Sequence, residues 1–356
     1  MKLFKRIKVT SLLMAIVMLA TVFVPAVSAS DEGSWKIPSL KFEKNSEYKT
    51  INAVLSTINS DGVYNIPNES IIYHSPNGIT TVFYSDGTQQ LSAIDAEAKQ
   101  ITTPSGIMPA TCVHEIPSGA SIDKKGNITK ITHGNKTILT IVDESIMNDD
   151  KIYVPSFNGW LEYSNKLVNN VGRFEAFWKV PSSPPHPNSQ AIDFLFNGIE
   201  TSDNNAIIQP VLEWNQQNSH RWTGRAWYAS GGTLLYSSPV NVNVNDNIYG
   251  GMIWNSLTKK WDIVFKDVTT NKQVSISSNG VGTTNVQVVT TLEGYNLEDN
   301  GDVPGDTTFN SMAFRNTNYQ PFTVSWNKHV NAAPSAITNL GVTIYSSAKV
   351  KLNTNN

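Results

Sequence analysis

Among the 356 residues there is one cysteine, Cys112, so no disulfide can close within the chain and the fold must rest on its buried core. Charge is scarce as well. Asp, Glu, Lys and Arg make up 16% of the residues, the net charge is −2, and no Lys/Arg cluster occurs beyond the first eight residues. That excludes nucleic acid and an anionic membrane as main partners. After Val24 no apolar run is long enough to span a bilayer. Beyond residue 150 no stretch keeps a helical period over three turns. A Ser-His-Asp order is missing too: His186 lies in the loop SSPPHP, and His220 and His329 have no nucleophile motif nearby. Serine and zinc hydrolase classes are thereby set aside. Cys112 and His114 are too few for a metal site, and no cofactor is expected.

What is present begins with a basic start, MKLFKRIK, an apolar stretch from Leu12 to Val24, and the small-residue sequence Val27-Ser28-Ala29. Residues 1–29 read as a secretory signal cleaved after Ala29, which predicts a secreted protein with no stable membrane association afterwards. The remaining residues, about 325, are enough for two domains. Aromatic content divides them. Eight of the nine tryptophans follow residue 150, which places a boundary near Asp150.

The region 30–150 opens with an amphipathic helix candidate in which Ile51, Val54, Leu55 and Ile58 recur at i, i+3, i+4 and i+7. Short β-type runs follow, IIYH, TTVFY, ITKIT and TILTIV, separated by Gly-containing turns. A small β-rich module results, and a prosegment covering an active site and an accessory binding domain both fit it.

Region 151–356 alternates apolar with polar residues in GRFEAFWKV, VNVNVNDNIYGGMIW, KWDIVFKDV, VQVVTTLEG and VTIYSSAKVKL, with Asn, Asp, Gly and Pro between the runs. Strands at this spacing in about 200 residues predict an all-β fold, a two-sheet antiparallel β-sandwich of jelly-roll, concanavalin-like type. Within AIIQPVLEW, the two-residue period puts Ile207, Gln209, Val211 and Glu213 on one face and Ile208, Leu212 and Trp214 on the other. The same rule aligns Val289, Thr291, Glu293 and Tyr295. A carboxylate in the middle of such a row needs a reason. In the stretch EDNGDVPGD, Asp299, Asp302 and Asp306 lack the ligand spacing of a calcium loop and read as a solvated turn.

The ordered segments FEAFWKVP, FNGIE, IIQPVLEW, WTGRAWY, VNVNDNI, IVFKDVTTNKQVS and TLEGYNLED run from Phe174 to Asp299, within a pattern that covers nearly all of 160–316. Together they resemble the eqolisin glutamic peptidases, whose domain is a β-sandwich. The resemblance implies a catalytic dyad of Gln209 and Glu293 acting on polypeptide substrates. It also implies that Glu213 and Glu200 orient the dyad or tune its pKa. Phe196 stands where the family has tryptophan, and Pro210 follows the glutamine. The neprosin-like glutamic peptidases resemble the same sandwich but use two glutamates, so Gln209 favours the first comparison. Trp222, Trp227 and Tyr228 are candidates for substrate subsites or, as aromatics in a sandwich often are, for core. A second class stays open: a carbohydrate-binding or glycoside-hydrolase sandwich using Glu213 and Glu293.

Overall fold

Alternating apolar and polar residues, with no helical period, leave the backbone little choice but to satisfy its hydrogen bonds between strands. The structure, a computed structural model, bears this out. It describes residues 68–86, 89–145, 159–188, 190–216, 219–331 and 336–354, all within one compact unit. The expected signal segment and the helix candidate at Ile51 to Ile58 lie outside the described residues, and so does the boundary expected near Asp150. No helix among the described residues is long and apolar enough to cross a membrane.

Two large sheets carry the fold. The smaller has nine strands: Asn327–Val330, Trp160–Val168, Val286–Tyr295, Ile192–Thr201, Ala206–Trp214, Trp222–Ser230, Thr233–Ser237 and Val113–Ile116 in spatial order, with Val240–Asn241 added beside Trp222–Ser230. The larger has fourteen. It runs from the C-terminal hairpin Gly341–Ser346 and Lys349–Asn353 through Thr307–Asn316, Val171–Lys179, Asn247–Asn255, Lys260–Asp267 and Lys272–Ser278, then into the N-terminal strands Ala120–Lys125, Ile128–His133, Lys136–Asp143, Ser70–His74, Ile79–Phe83 and Gln89–Ile94. Pro321–Phe322 pairs with Thr307–Asn316.

Most pairings are antiparallel, as expected, but three are parallel, and two of these sew the N-terminal strands into the sandwich. Ala120 is registered with Ile276 in the larger sheet, and Val113 with Leu234 in the smaller. The third joins Ser70–His74 to Lys136–Asp143. The N-terminal strands therefore extend both sheets. Two runs read as continuous from sequence are broken. Val240 to Trp254 turns at Asn245, whose φ is 72°, and Val342 to Leu352 folds back between Ser346 and Lys349 as a hairpin.

Between the sheets lies one core containing Trp178, Ile208, Leu212, Tyr228, Phe265, Val288, Leu292 and Phe309. The opposite face of the smaller sheet carries a second cluster: Trp160, Phe194, Phe196, Ile207, Val211, Trp227, Val289 and Tyr295. The split follows the two-residue period read from the sequence. Met108, Cys112 and Val113 from the N-terminal region pack on this second face. A hairpin of Gln100–Thr103 and Gly106–Pro109 forms a separate two-stranded sheet, and its tip is Thr103-Pro104-Ser105-Gly106.

Candidate active site

Gln209 lies mid-strand in Ala206–Trp214 and is fully buried. Its Nε2 donates to the Pro104 carbonyl at 2.9 Å, while its Oε1 is buried and accepts nothing. A neutral amide thus holds the carbonyl of a peptide bond supplied by the chain's own hairpin. Gln216, just past the end of the same strand, donates to the Thr102 carbonyl at 3.1 Å. The hairpin tip is therefore tied to this face by backbone carbonyls, the groups that any polypeptide presents whatever its sequence.

Glu293 is also fully buried and accepts a short hydrogen bond from the Tyr295 hydroxyl. Burial pushes its pKa up from 4.5 to about 8. Hydrogen bonds from Tyr295 and Trp160 pull the other way, and the charge of Glu200 adds to the rise. Below about pH 8 this group is consequently a neutral acid. The Gly106 N–H hydrogen-bonds the Tyr295 hydroxyl, so the far end of the same hairpin tip reaches the Glu293 side. Two glycines permit this. Gly106 has φ 109°, in the region that side chains avoid, and a Cβ on Gly159 would stand 2.4 Å from Tyr295 Cζ and 2.9 Å from Glu293 Oε1. Gln209 and Glu293 thus face the two ends of one four-residue segment.

Register sets where the other expected residues fall. Phe194 pairs with Glu293 on one side and Glu213 on the other, so these two carboxylates share a level with Phe194 between them. Gln209 lies four residues before Glu213 in the same strand, on the same face. Glu213 is fully engaged: it accepts from Arg225 Nη1 at 2.6 Å, Trp227 Nε1 at 2.5 Å and Thr223 Oγ1 at 3.2 Å. It forms a buried ion pair that fixes the neighbouring strand, with Trp227 stacked on Tyr236 at 4.6 Å. Glu200 is buried, with Oε2 unpartnered, and burial together with Asp203 raises its pKa to about 8.

Trp222 and Tyr228 sit on the other face of the sheet, in the core between the sheets, where Trp222 packs on Trp214 at 5.4 Å. They line the core and not the Gln209 face, because the strand period carries Trp222, Gly224, Ala226 and Tyr228 inward together. Asp302 is no solvated turn residue either. It is buried and spends its oxygens on the Asn188 N–H at 2.6 Å, Asn188 Nδ2 at 2.8 Å and the Glu298 N–H at 2.6 Å. The residues that sequence reasoning passed over are Trp160, Arg225 and the tip 103–106. Thr-Pro-Ser-Gly is legible as a turn, but nothing local says which strand the turn will cover.

No protein-family model and no curated protein matches the chain. Among solved structures it is similar to scytalido-glutamic peptidase with a peptide-based transition-state analogue, at 15% identity over 55% of this chain and 98% of that one, TM-score 0.41. It is similar to SCP-B, a member of the eqolisin family in complex with the tripeptide Ala-Ile-His, at 14% identity over 55% and 98%, TM-score 0.41. A Bacillus licheniformis β-glucanase aligns at 8% identity over 67% and 90%, TM-score 0.26. Likenesses of this size carry no argument about chemistry, which must come from the residues above.

Proposed function

We propose that this protein is a glutamic endopeptidase held latent by its own N-terminal hairpin. The observation that carries this reading is the backbone carbonyl of Pro104 bound by the buried amide of Gln209, a peptide group in place on a neutral donor. With substrate there instead, the Glu293 carboxylate takes a proton from water, and the hydroxide adds to the carbonyl carbon. Gln209 Nε2–H donates to the oxygen as it gains charge. The Glu293 acid then gives its proton to the leaving nitrogen as the C–N bond breaks.

Latency follows from both occupancy and protonation. While the hairpin covers the face, Gln209 is spent on Pro104 and Glu293 holds its proton up to about pH 8, so it cannot act as a base. Departure of the hairpin readmits water, relieves the desolvation and lets the carboxyl titrate nearer its ordinary range. Region 30–150 is then a prosegment, and acid is the condition under which the uncovered dyad works. Residues 1–29 direct export, which N-terminal sequencing of the protein from culture medium checks.

The test is cleavage of a denatured protein from about pH 2 to 7, read by mass spectrometry, for the full chain and for Glu293→Gln and Gln209→Ala. Gln209→Ala should lose about 100-fold or more in kcat, as removal of an oxyanion donor does, and Glu293→Gln should be inactive. Full activity in either variant would sink the dyad. The shared level of Glu213 and Glu293 favours a second reading as a polysaccharide hydrolase. Release of sugars from glucans without peptide cleavage would select it, although the Arg225 ion pair leaves Glu213 poorly placed to react.

A further inference from the structure

A second cluster of reactive side chains lies beside this face, where the N-terminal parts of the two sheets meet. One ligand atom from each of His74, Asp95 and Cys112 lies within 4.8 Å of the other two. His74 ends the strand Ser70–His74, with Asp143 and Thr80 as its register partners on either side. His114 belongs to the smaller sheet, and its ring centroid is 6.3 Å from that of His74. Sequence alone offered only Cys112 and His114. The fold adds His74 and Asp95 from upstream strands and turns.

Hydrogen bonding settles which nitrogen of His74 is available. The Thr80 hydroxyl has one proton and donates it to Asp95 Oδ1 at 2.6 Å, so the contact at 2.7 Å between His74 Nδ1 and Thr80 Oγ1 must be donated by the imidazole. The neutral ring then carries its lone pair on Nε2, which is buried and unpartnered. His114 Nε2 and Asp143 Oδ2 are likewise buried without partners. Neutral imidazole is the ligating form. A buried, unsatisfied imidazole nitrogen grouped with a cysteine and a carboxylate is costly for a core unless something binds there.

We propose that this cluster binds one divalent ion of the zinc class, held by Cys112, Asp95 and His74, with His114, whose ring centroid is 6.3 Å from that of His74, as the next donor at hand. Sulfur and nitrogen donors select such an ion over calcium or magnesium. The Asp95–Thr80–His74 chain orients the imidazole from behind. Binding displaces the Cys112 thiol proton to solvent as the metal–sulfur bond forms.

The site has a mechanical consequence. Asp95 and Cys112 stand just before and just after the hairpin that covers Gln209. Its base is already closed by the hydrogen bonds from Ala110 N–H to the Lys99 carbonyl at 2.8 Å and from Thr111 Oγ1 to Asp95 Oδ1 at 2.8 Å. An ion shared by Asp95 and Cys112 clamps both ends of that hairpin and reinforces latency, a consequence that rests on the peptidase reading.

The test uses the full chain. Zinc content is measured by mass spectrometry, Co²⁺ is titrated as a spectroscopic probe, and hydrogen exchange is followed in peptides covering 100–109 with and without Zn²⁺. The expected result is one ion per chain, a thiolate-to-cobalt charge-transfer band that disappears in Cys112→Ser, and slower exchange at the hairpin. Thr80→Val, which keeps every ligand and the approximate shape, should bind about 10–100-fold more weakly, and it serves if His74→Ala does not fold. Substoichiometric binding, or an unchanged cobalt spectrum in Cys112→Ser, would overturn the site. One ion bound with unchanged exchange at 100–109 would overturn the clamp, whereas the dyad stands or falls on the activity of Glu293→Gln.

Discussion

Replacing Glu293 by glutamine should stabilise the protein at neutral pH while abolishing its activity. Glu293 is fully buried, and desolvation is the main cause of its rise from 4.5 to about 8. Between those values the folded chain keeps a proton that the unfolded chain has released. The stability contributed by the neutral acid is therefore fully present below about pH 4.5 and is lost as pH rises through about 8. At about 1.4 kcal/mol per pH unit the loss is capped at about 5 kcal/mol, of which about 3 kcal/mol has been lost by pH 7. Glutamine does not titrate and retains an acceptor for the Tyr295 hydroxyl. Wild type and Glu293→Gln should thus be of similar stability near pH 4 and separate by up to about 3 kcal/mol at about pH 7, with the variant the more stable. Glu200 is shifted in the same direction and is common to both proteins, so only its smaller coupling to Glu293 enters the comparison. Urea unfolding followed by tryptophan fluorescence at the two pH values measures the difference. A gap that is constant with pH, or that widens toward acid, would refute the assignment of Glu293 as a buried, proton-holding acid.

Two further substitutions test the surroundings. Gly159→Ala places a methyl 2.4 Å from Tyr295 Cζ, so it should displace the Tyr295 hydroxyl from Glu293 and cost about 1–3 kcal/mol. Thermal unfolding and kcat should fall together, and unchanged values for both would remove Tyr295 from the site. Arg225→Ala leaves the Glu213 carboxylate buried without its cation and should destabilise by about 3–5 kcal/mol. Adding Glu213→Gln should recover a large part of that loss in a double-mutant cycle, and no recovery would mean that Arg225 acts through packing instead.

By itself the sequence determined the period and the faces. Ile207, Val211 and Trp227 lie in one cluster and Ile208, Leu212 and Trp214 in the other because alternate side chains of a strand point apart, a property of the backbone that needs no partner. It also singled out Gln209, Glu213 and Glu293, since polar groups in rows this apolar must have a purpose. Only the tertiary structure decided their company. Glu213 was taken by Arg225 and shares its level with Glu293, because register between strands is set by packing and turns and not by local pattern. Trp222 and Tyr228 went to the core, since a face read from one strand does not say which side of the sheet the second sheet will cover. The Pro104 carbonyl reached Gln209 across 105 residues of sequence, and Asp95 and His74 reached Cys112 through two sheets, contacts that exist only once the chain has closed on itself.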